Sequence, residues 1–405
     1  MQKPTVLLVS QGAAATGFSR VADGIIRHLQ GEYYFHQFAI NVRKNEVEGD
    51  WPIYGNPDPL DAHGLDRLCE LVKQTRPAIV LVLYDLWFCC IHIKRLIQLV
   101  PRPLIIGYCP VDGELTRPSL YEGLALFDHV VAYNSFGERE ISKIEGVNKI
   151  SKIPHGLDTN AFYPLQPECL IDRSMAKELL LGECAHENGF IVLNAAKHQL
   201  RKRIDLTIEG FALFAKDKPP DVKLFLHTGA TFNGPDIRAM VEKAGITDRL
   251  IHSAGWLEDH PVVDEEALNL LYNATEVGIN TAMGEGWGLL SFEHAATGAP
   301  QIVPAHTACG ELWSGVDTIL PVRSSMEHTG LAMVWHAIDP ADIARILNQL
   351  YWDEDYRKQQ AMKAYQNATQ TSYRWENIAE QWSRLFQQLL RQKNDCIQRQ
   401  KKMMI

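Results

Sequence analysis

The sequence lacks any run of apolar residues long enough to cross a lipid bilayer. Its longest candidate, AIVLVLY at 78–84, is stopped by Asp85. Near the N-terminus only TVLLVS, at 5–10, is strongly apolar, and this segment is too short for a secretory signal but typical of a buried strand. We therefore expect a soluble, cytoplasmic protein.

Paired metal-ligand or disulfide spacings are also missing. The eight cysteines form no C-x-x-C pair, which favours free thiols in a reducing compartment. No histidine-rich cluster appears, so we predict no metal and no other cofactor.

Positive charge is in deficit as well. The 40 lysines and arginines face 49 aspartates and glutamates, giving a formal charge of -9, which argues against a nucleic-acid partner. A chain of 405 residues with 46% hydrophobic residues is large enough for two ordinary domains.

What the sequence does contain is an alternation of short apolar runs with amphipathic segments. Continuous apolar strands separated by helices predict parallel sheets covered on both faces, and hence an α/β fold. In the first half, strands are predicted at 5–10, 32–40, 78–84, 103–109, 127–134 and 149–155. In the second half, they are predicted at 189–196, 222–229, 250–255, 276–281 and 300–305.

A segment with three prolines, PHGLDTNAFYPLQPE at 154–168, separates the two halves and is typical of a linker. We predict two doubly wound domains, at 1–160 and 161–372, followed by a helix at about 375–393. The remainder, 394–405, is a basic tail, interpreted as a solvated terminus with peripheral contact to an anionic membrane as the alternative.

Ligands of open α/β sheets bind where strands lead into helices. At the first such junction, Gly12 and Gly17 bracket a small-residue loop whose N–H groups could approach phosphate or sugar oxygens; a plain tight turn is the alternative. The loop is not G-x-G-x-x-G, and no acidic residue clearly ends the second strand, which counts against a nicotinamide cofactor.

A second junction gathers positive charge. In LNAAKHQLRKRIDL (193–206), the basic residues between strand and helix suit a diphosphate, with a solvated loop as the alternative. These residues are Lys197, Arg201, Lys202 and Arg203.

A third junction, GEGWGLLSFEHAATG (284–298), combines glycines with two carboxylates. Glu285 lies in the loop and Glu293 about two helical turns further on. Carboxylates accept hydrogen bonds from the hydroxyls of a sugar or ribose. The alternative, that Glu293 is a surface helix residue, is disfavoured by the apolar Phe292 and Ala295 beside it.

These segments together resemble the retaining glycosyltransferases of family four, the group 1 glycosyl transferases with an E-x7-E signature. GEGWGLLSFEHAATGAPQIV looks like that signature, and IPHGLDTNAFYP (153–164) is similar to the family's interdomain segment, with His155 in place of asparagine. AAKHQLRKRIDLTIEGF (195–211) resembles the diphosphate-binding segment, with Lys197 in place of arginine. LIHSAGWL and SYRWENIAEQW resemble the base pocket and the closing helix that returns to the first domain.

The resemblance implies a GT-B fold, in which two Rossmann-like domains face a cleft, and it implies a role for each matching residue. Lys197 and Lys202 would hold the donor diphosphate, Glu293 the ribose hydroxyls and Glu285 the hydroxyls of the donor sugar. The backbone at Gly286, Trp287, Gly288 and Leu289 would meet the distal phosphate. Trp256 and Leu257 would flank the base, and Trp287, where phenylalanine is usual, would lie in the wall of the sugar site.

The first half departs more from the family. Where family members often carry a histidine, this sequence has GYCPVDGE (107–114), so Asp112 becomes the polar candidate for contact with sugar or acceptor, with a plain Asp-Gly turn as the alternative. Asp85 ends another strand. Tyr108 and Trp87 are interpreted as either an acceptor wall or core.

The expected activity is that of a retaining hexosyltransferase, moving a sugar from a nucleotide-diphosphate donor to a glycan, lipid-linked saccharide, protein or small-molecule acceptor. Metal dependence is not expected, because the DED at 353–355 opens a helix and is typical of a cap rather than of a metal-binding D-x-D. A sugar-nucleotide epimerase of the same fold and a non-catalytic nucleotide-sugar-binding subunit are the alternatives.

Overall fold

The structure is a computed structural model that describes residues 3–12, 16–181, 189–230, 234–253 and 263–403. It divides into two compact units. Unit 1 comprises Met1–Val111, Leu115–Gly156 and Ser372–Ile405; unit 2 comprises Asp112–Glu114 and Leu157–Thr371. The short segment Asp112–Glu114 therefore belongs with the second half of the chain.

The first 156 residues alternate strands and helices, as predicted. The strands are β1 (Thr5–Ser10), β2 (Tyr34–Ala39), β3 (Glu46–Val47), β4 (Ile53–Gly55), β5 (Ile79–Leu83), β6 (Leu104–Cys109), β7 (Glu114–Leu115), β8 (His129–Ala132) and β9 (Ile150–Lys152). The helices are α1 (Gly17–Leu29), α2 (Leu65–Thr75), α3 (Leu86–Leu96) and α4 (Ser135–Ile141), with a 3₁₀ segment at Pro118–Leu126.

The sheet of unit 1 has the order β3-β4-β2-β1-β5-β6-β8-β9. Its pairs are parallel except that β3 runs antiparallel to β4. Every residue of β5 and β6 is buried, as expected of strands covered on both faces. The order reverses between β1 and β5, which is the switch point of a doubly wound sheet.

Unit 2 repeats this plan. Its strands are β10 (Phe190–Asn194), β11 (Val222–Leu226), β12 (Leu250–His252), β13 (Val277–Ile279), β14 (Gln301–Pro304), β15 (Ile319–Leu320), β16 (Ser324–His328) and β17 (Met333–Ala337). Its helices are α5 (Ser174–Leu181), α6 (Ile204–Ala215), α7 (Ile237–Lys243), α8 (Glu265–Asn273), α9 (Leu289–Ala296), α10 (Thr307–Leu312), α11 (Pro340–Trp352) and α12 (Glu354–Ala368), with 3₁₀ segments at Leu200–Lys202, Thr247–Arg249 and Thr371–Tyr373.

The main sheet of unit 2 is parallel throughout, in the order β12-β11-β10-β13-β14-β15. Helix α6 packs against it through Phe211 and Phe214, both fully buried. Helix α11 approaches α6 closely because Gly210 has no side chain: a Cβ there would lie 2.7 Å from the Cβ of Ile343. The order reverses between β10 and β13.

The antiparallel hairpin β16–β17 was not predicted. Four of the five residues of β16 are exposed, so the strand lacks the apolar alternation by which strands are recognised. Asp353 caps α12 by accepting from the Tyr356 N–H at 2.9 Å, which agrees with the interpretation of the DED sequence as a cap.

The last helix, α13 (Trp375–Met403), belongs to unit 1. Trp375 packs against two glycines, Gly24 and Gly156, where an added Cβ would lie 2.1 and 2.2 Å from its ring. The helix continues through the segment predicted as a solvated tail, which is helical as far as Met403. Residues 394–400 of this helix are exposed, as expected of a solvated segment.

Candidate functional site

The switch point of the unit 2 sheet lies between β10 and β13, and the loops that follow these two strands are the predicted basic and glycine-rich segments. Open α/β sheets bind ligands beyond the carboxyl ends of the strands at this position. Residues 195–203 follow β10, and residues 280–288 follow β13. The topology therefore brings the two predicted motifs to one edge of the sheet.

The closest contact between the two loops joins opposite charges. The Lys202 ammonium donates to Glu285 Oε2 at 2.5 Å, and the two side chains are only 15% and 12% exposed. The main chain at Lys202 is held by Thr281, whose hydroxyl lies 2.9 Å from the carbonyl oxygens of both Lys202 and Arg203. Thr281, two residues after the end of β13, thus connects the basic loop to the loop that carries Glu285.

Arg201 extends this pair into a cluster of four charges. Its guanidinium lies 3.6 Å from Glu285 Oε2 and 3.5 Å from Asp112 Oδ2, and it donates to the Gly284 carbonyl. Asp112 reaches the cluster because its segment belongs to unit 2. Gly284 is required for this approach, since a Cβ there would lie 1.8 Å from the Asp112 carbonyl oxygen.

The two carboxylates of the cluster have opposite pKa shifts. For Glu285, burial raises the pKa, but Lys202 and Arg201 outweigh burial and the net pKa is lowered, so this side chain is ionised at neutral pH. For Asp112, burial is the largest cause and raises the pKa, although Arg201 acts against it. Both carboxylates lie beside Arg201, but their different surroundings shift their pKa values in opposite directions.

Glu293 lies inside unit 2 on helix α9. It is 3% exposed and accepts a hydrogen bond from the Tyr272 hydroxyl at 3.0 Å. Phe292 and Ala295 beside it are also buried. The alternative that Glu293 is an ordinary surface residue is therefore wrong.

The turn between Glu285 and α9 requires glycine at one position. Gly288 has φ +93°, a left-handed conformation that other residues rarely adopt, and it precedes Leu289, the first residue of α9. The Trp287 ring is buried and stacks on Phe292, with centroids 5.1 Å apart.

The other side chains predicted in unit 2 are those of Lys197, Arg203, Trp256 and Leu257. Lys197 is partly buried just after β10. Arg203 pairs with Asp205 at 2.7 Å instead of joining the cluster. Trp256 and Leu257 lie outside the described residues.

In unit 1, the predicted residues have separate locations. Gly17 is the exposed first residue of α1, at the carboxyl end of β1, and Asp85 is the N-cap of α3. Tyr108 is core, since it is fully buried and its hydroxyl contacts the Ile153 carbonyl at 2.9 Å and His155 Nδ1 at 2.8 Å. Trp87 is 39% exposed.

Two residues beside Glu285 were not predicted. His306 and Thr307 follow β14, the next strand along from β13, and Thr307 contacts the Glu285 backbone. Their position at a strand-to-helix junction is the signal that would have found them.

Within the described residues, no group of three or more His, Cys, Asp or Glu is arranged to hold a metal ion. Of the helices described, none combines the length and apolar character that a membrane span needs.

A family model and a known protein each match part of this chain. Residues 236–384 match a family model described as glycosyl transferase-like. The mannosylfructose-phosphate synthase of Agrobacterium fabrum is 26% identical over 164 residues, which cover 39% of this chain and 33% of that protein. The match therefore spans about a third of that relative's length.

Two solved structures match nearly the whole chain. Sucrose-phosphate synthase from Thermosynechococcus elongatus aligns with a TM-score of 0.75 and 18% identity, covering 96% of this chain and 99% of that one. Anabaena HepE, solved in complex with UDP and glucose, aligns with a TM-score of 0.71 and 16% identity, covering 95% and 100%. The chain has the GT-B fold. The predicted α/β architecture with two Rossmann-like domains is thereby confirmed, and the cluster around Glu285 lies at the switch point of the second domain of this GT-B protein.

Proposed function

We propose that this GT-B protein transfers a sugar from a nucleotide-diphosphate donor to an acceptor, with retention at the anomeric carbon and without a metal. The observation that carries the proposal is the ionised Glu285, held by Lys202 and Arg201 at the switch point of unit 2. Such a cluster offers cations to a diphosphate and a carboxylate to sugar hydroxyls within one site.

In this proposal, Lys202 and Arg201 bind the leaving nucleoside diphosphate. A nucleoside diphosphate departs with at least two negative charges, so transition-state stabilisation needs positive charge that is already in position. An ammonium carries three N–H donors and a guanidinium five, so Lys202 and Arg201 can hold phosphate oxygens in addition to Glu285. Lys197 and the amides of residues 286–289, at the start of α9, are proposed to contribute at the distal phosphate.

The two glutamates of the E-x7-E pair have different proposed roles. Glu285 accepts hydrogen bonds from the hydroxyls of the transferred sugar, which its lowered pKa favours. Glu293, bonded to Tyr272, accepts from the ribose hydroxyls. Asp112 is proposed to contact the sugar or acceptor from the far side of Arg201.

Retention is proposed to occur without a protein nucleophile. As the bond from the anomeric carbon to the phosphate oxygen breaks, positive charge develops on the sugar, and the acceptor hydroxyl attacks from the same face. The departing phosphate oxygen takes the acceptor's proton, so the products are the glycosylated acceptor and the protonated nucleoside diphosphate. Because lysine and arginine neutralise the diphosphate, no divalent cation is required for this step.

The relatives suggest where to begin with substrates. HepE was solved with UDP and glucose, and two relatives are named as synthases of sugar phosphates. We therefore propose UDP-glucose as the first donor to test and phosphorylated sugars as the first acceptors, ahead of glycans, lipid-linked saccharides and proteins.

The test is to incubate the protein with UDP-, GDP- and ADP-sugars and an acceptor panel while following nucleotide release by mass spectrometry. Product configuration is then read from the anomeric proton coupling by NMR. A product with the donor's own configuration, formed in excess chelator, is expected. Inversion, conversion of the donor to an epimer, or binding without any transfer or hydrolysis would each contradict the proposal.

A further inference from the structure

The backbone of Glu285 is held on both sides by the start of helix α10. Its N–H donates to the Thr307 hydroxyl oxygen at 3.2 Å, and its carbonyl accepts from the Ala308 N–H at 3.2 Å. The glycine-rich loop that carries Glu285 is thereby tied to the end of β14, the next strand of the sheet. Contacts to both backbone groups of one residue fix the point from which its side chain extends.

Thr307 makes its contact from a strained conformation. Its φ is +50°, a left-handed value that β-branched residues rarely adopt. A glycine would reach this conformation without strain, but it would bring no hydroxyl. Backbone strain of this kind persists where the surrounding structure imposes it, often beside functional groups.

His306 supports the same hydroxyl. It is 6% exposed, and its Nδ1 lies 3.3 Å from Thr307 Oγ1. Burial lowers its pKa to about 4, so the ring is neutral at physiological pH, and a neutral Nδ1 can accept the hydroxyl proton. The Thr307 oxygen is then oriented to accept from the Glu285 N–H. The Glu285 N–H donates to Thr307 Oγ1, and in the tautomer whose Nδ1 carries no proton the Thr307 hydroxyl donates in turn to His306.

We infer that Thr307 is a positioning residue for Glu285: its hydroxyl holds the loop so that the carboxylate meets Lys202 and the transferred sugar. This inference rests on the proposed function for its effect on turnover, but not for its effect on the loop itself. Small displacements of positioned groups have large effects on rate, so loss of one contact outside the reacting centre is expected to be visible in kcat.

Three substitutions separate positioning from simple stability. Thr307→Ser keeps the hydroxyl, Thr307→Val keeps the shape and the strain without the hydroxyl, and Thr307→Gly removes both the hydroxyl and the strain. We expect Thr307→Ser to retain most of the wild-type kcat. We expect Thr307→Val and Thr307→Gly to lose roughly tenfold in kcat with little change in KM, the size of effect that follows from one lost hydrogen bond. Because Thr307→Gly also relieves the strain of the positive φ, its melting temperature should equal or exceed that of Thr307→Val, which keeps this strain.

If Thr307 only stabilised the fold, the kcat of the folded enzyme would not depend on its hydroxyl. A Thr307→Gly variant with the kcat of the wild type would therefore overturn the inference. Hydrogen exchange, measured by mass spectrometry on a peptide covering residues 281–289, supplies a readout that needs no substrate. Faster exchange in the Val and Gly variants, but not in the Ser variant, is expected; equal exchange in all four proteins would overturn the inference. A wild type without activity toward any nucleotide sugar would refute the proposed function, while the exchange result still decides the role of Thr307.

Discussion

Replacing Glu285 by glutamine removes one negative charge while keeping the shape of the side chain. In the native cluster, this carboxylate lies 2.5 Å from the Lys202 ammonium, and both side chains are more than four-fifths buried. Breaking a fully buried ion pair costs about 3–5 kcal/mol. The partial exposure here and the remaining amide oxygen place the expected loss near the lower end, at about 3 kcal/mol.

If this loss falls on the transition state, it corresponds to roughly a 100-fold decrease in kcat, since each 1.36 kcal/mol is a factor of ten. KM for the donor should change much less, because the proposed diphosphate contacts of Lys202 and Arg201 remain. The assay is nucleotide release under saturating donor and acceptor, with kcat and KM measured separately.

The matched control is Glu242→Gln, which makes the same chemical change at an exposed position on α7. This control should leave kcat within about twofold of wild type, as surface substitutions generally do. A Glu285→Gln variant with a kcat equally close to wild type would refute the role given to Glu285. A purely KM-based loss would place the residue in ground-state binding instead.

Other predictions concern binding, metal and pH. Glu293→Gln should weaken UDP binding about tenfold in a calorimetric titration, about 1.4 kcal/mol, with a smaller effect on kcat; effects on kcat equal to those of Glu285→Gln would contradict the division of roles. Activity should be undiminished in excess EDTA, and a loss restored by added Mg²⁺ or Mn²⁺ would show that the metal-free proposal is wrong. Burial lowers the pKa of His155 and of His294 to about 3. Unfolded imidazoles bind protons near pH 6.5, so the unfolded state takes up more protons between pH 6.5 and 3 and stability is lost as pH falls through this window, by up to about 1.4 kcal/mol per pH unit for each histidine. Melting temperatures measured from pH 7.5 to 4 should decrease accordingly, and a curve that is flat or rises toward pH 4 would contradict this account.

Much of the fold could be predicted because the parallel strands are short, continuous apolar runs bounded by turn residues. β5 and β10 are buried along their whole length and are visible in the sequence as IVLVL and FIVLN. The hairpin β16–β17 could not be found by the same signal, because a strand as exposed as β16 shows no apolar pattern. The helical continuation of α13 past residue 393 was missed for a similar reason, since residues 394–400 are exposed and show no apolar stripe.

The candidate site was predictable where its residues follow strands directly. Lys202, Glu285 and Asp112 were all chosen on that basis, and the structure brings them into one cluster with Arg201. The arginine had been counted within the basic segment, but nothing local distinguishes it from Arg203, which pairs with its own helix. Which of several neighbouring cations faces the carboxylates is decided by packing between elements far apart in sequence.

The proposed function depends most on the contact between Lys202 and the diphosphate of the donor. Its most direct test is a calorimetric titration of UDP into the wild type and into Lys202→Met, with Lys216→Met, an exposed lysine at the end of α6, as the matched control. We expect Lys202→Met to bind UDP roughly 10- to 100-fold more weakly, because one hydrogen bond to a charged group is lost. Lys216→Met should bind UDP like the wild type. UDP binding of equal strength in all three proteins would contradict the account.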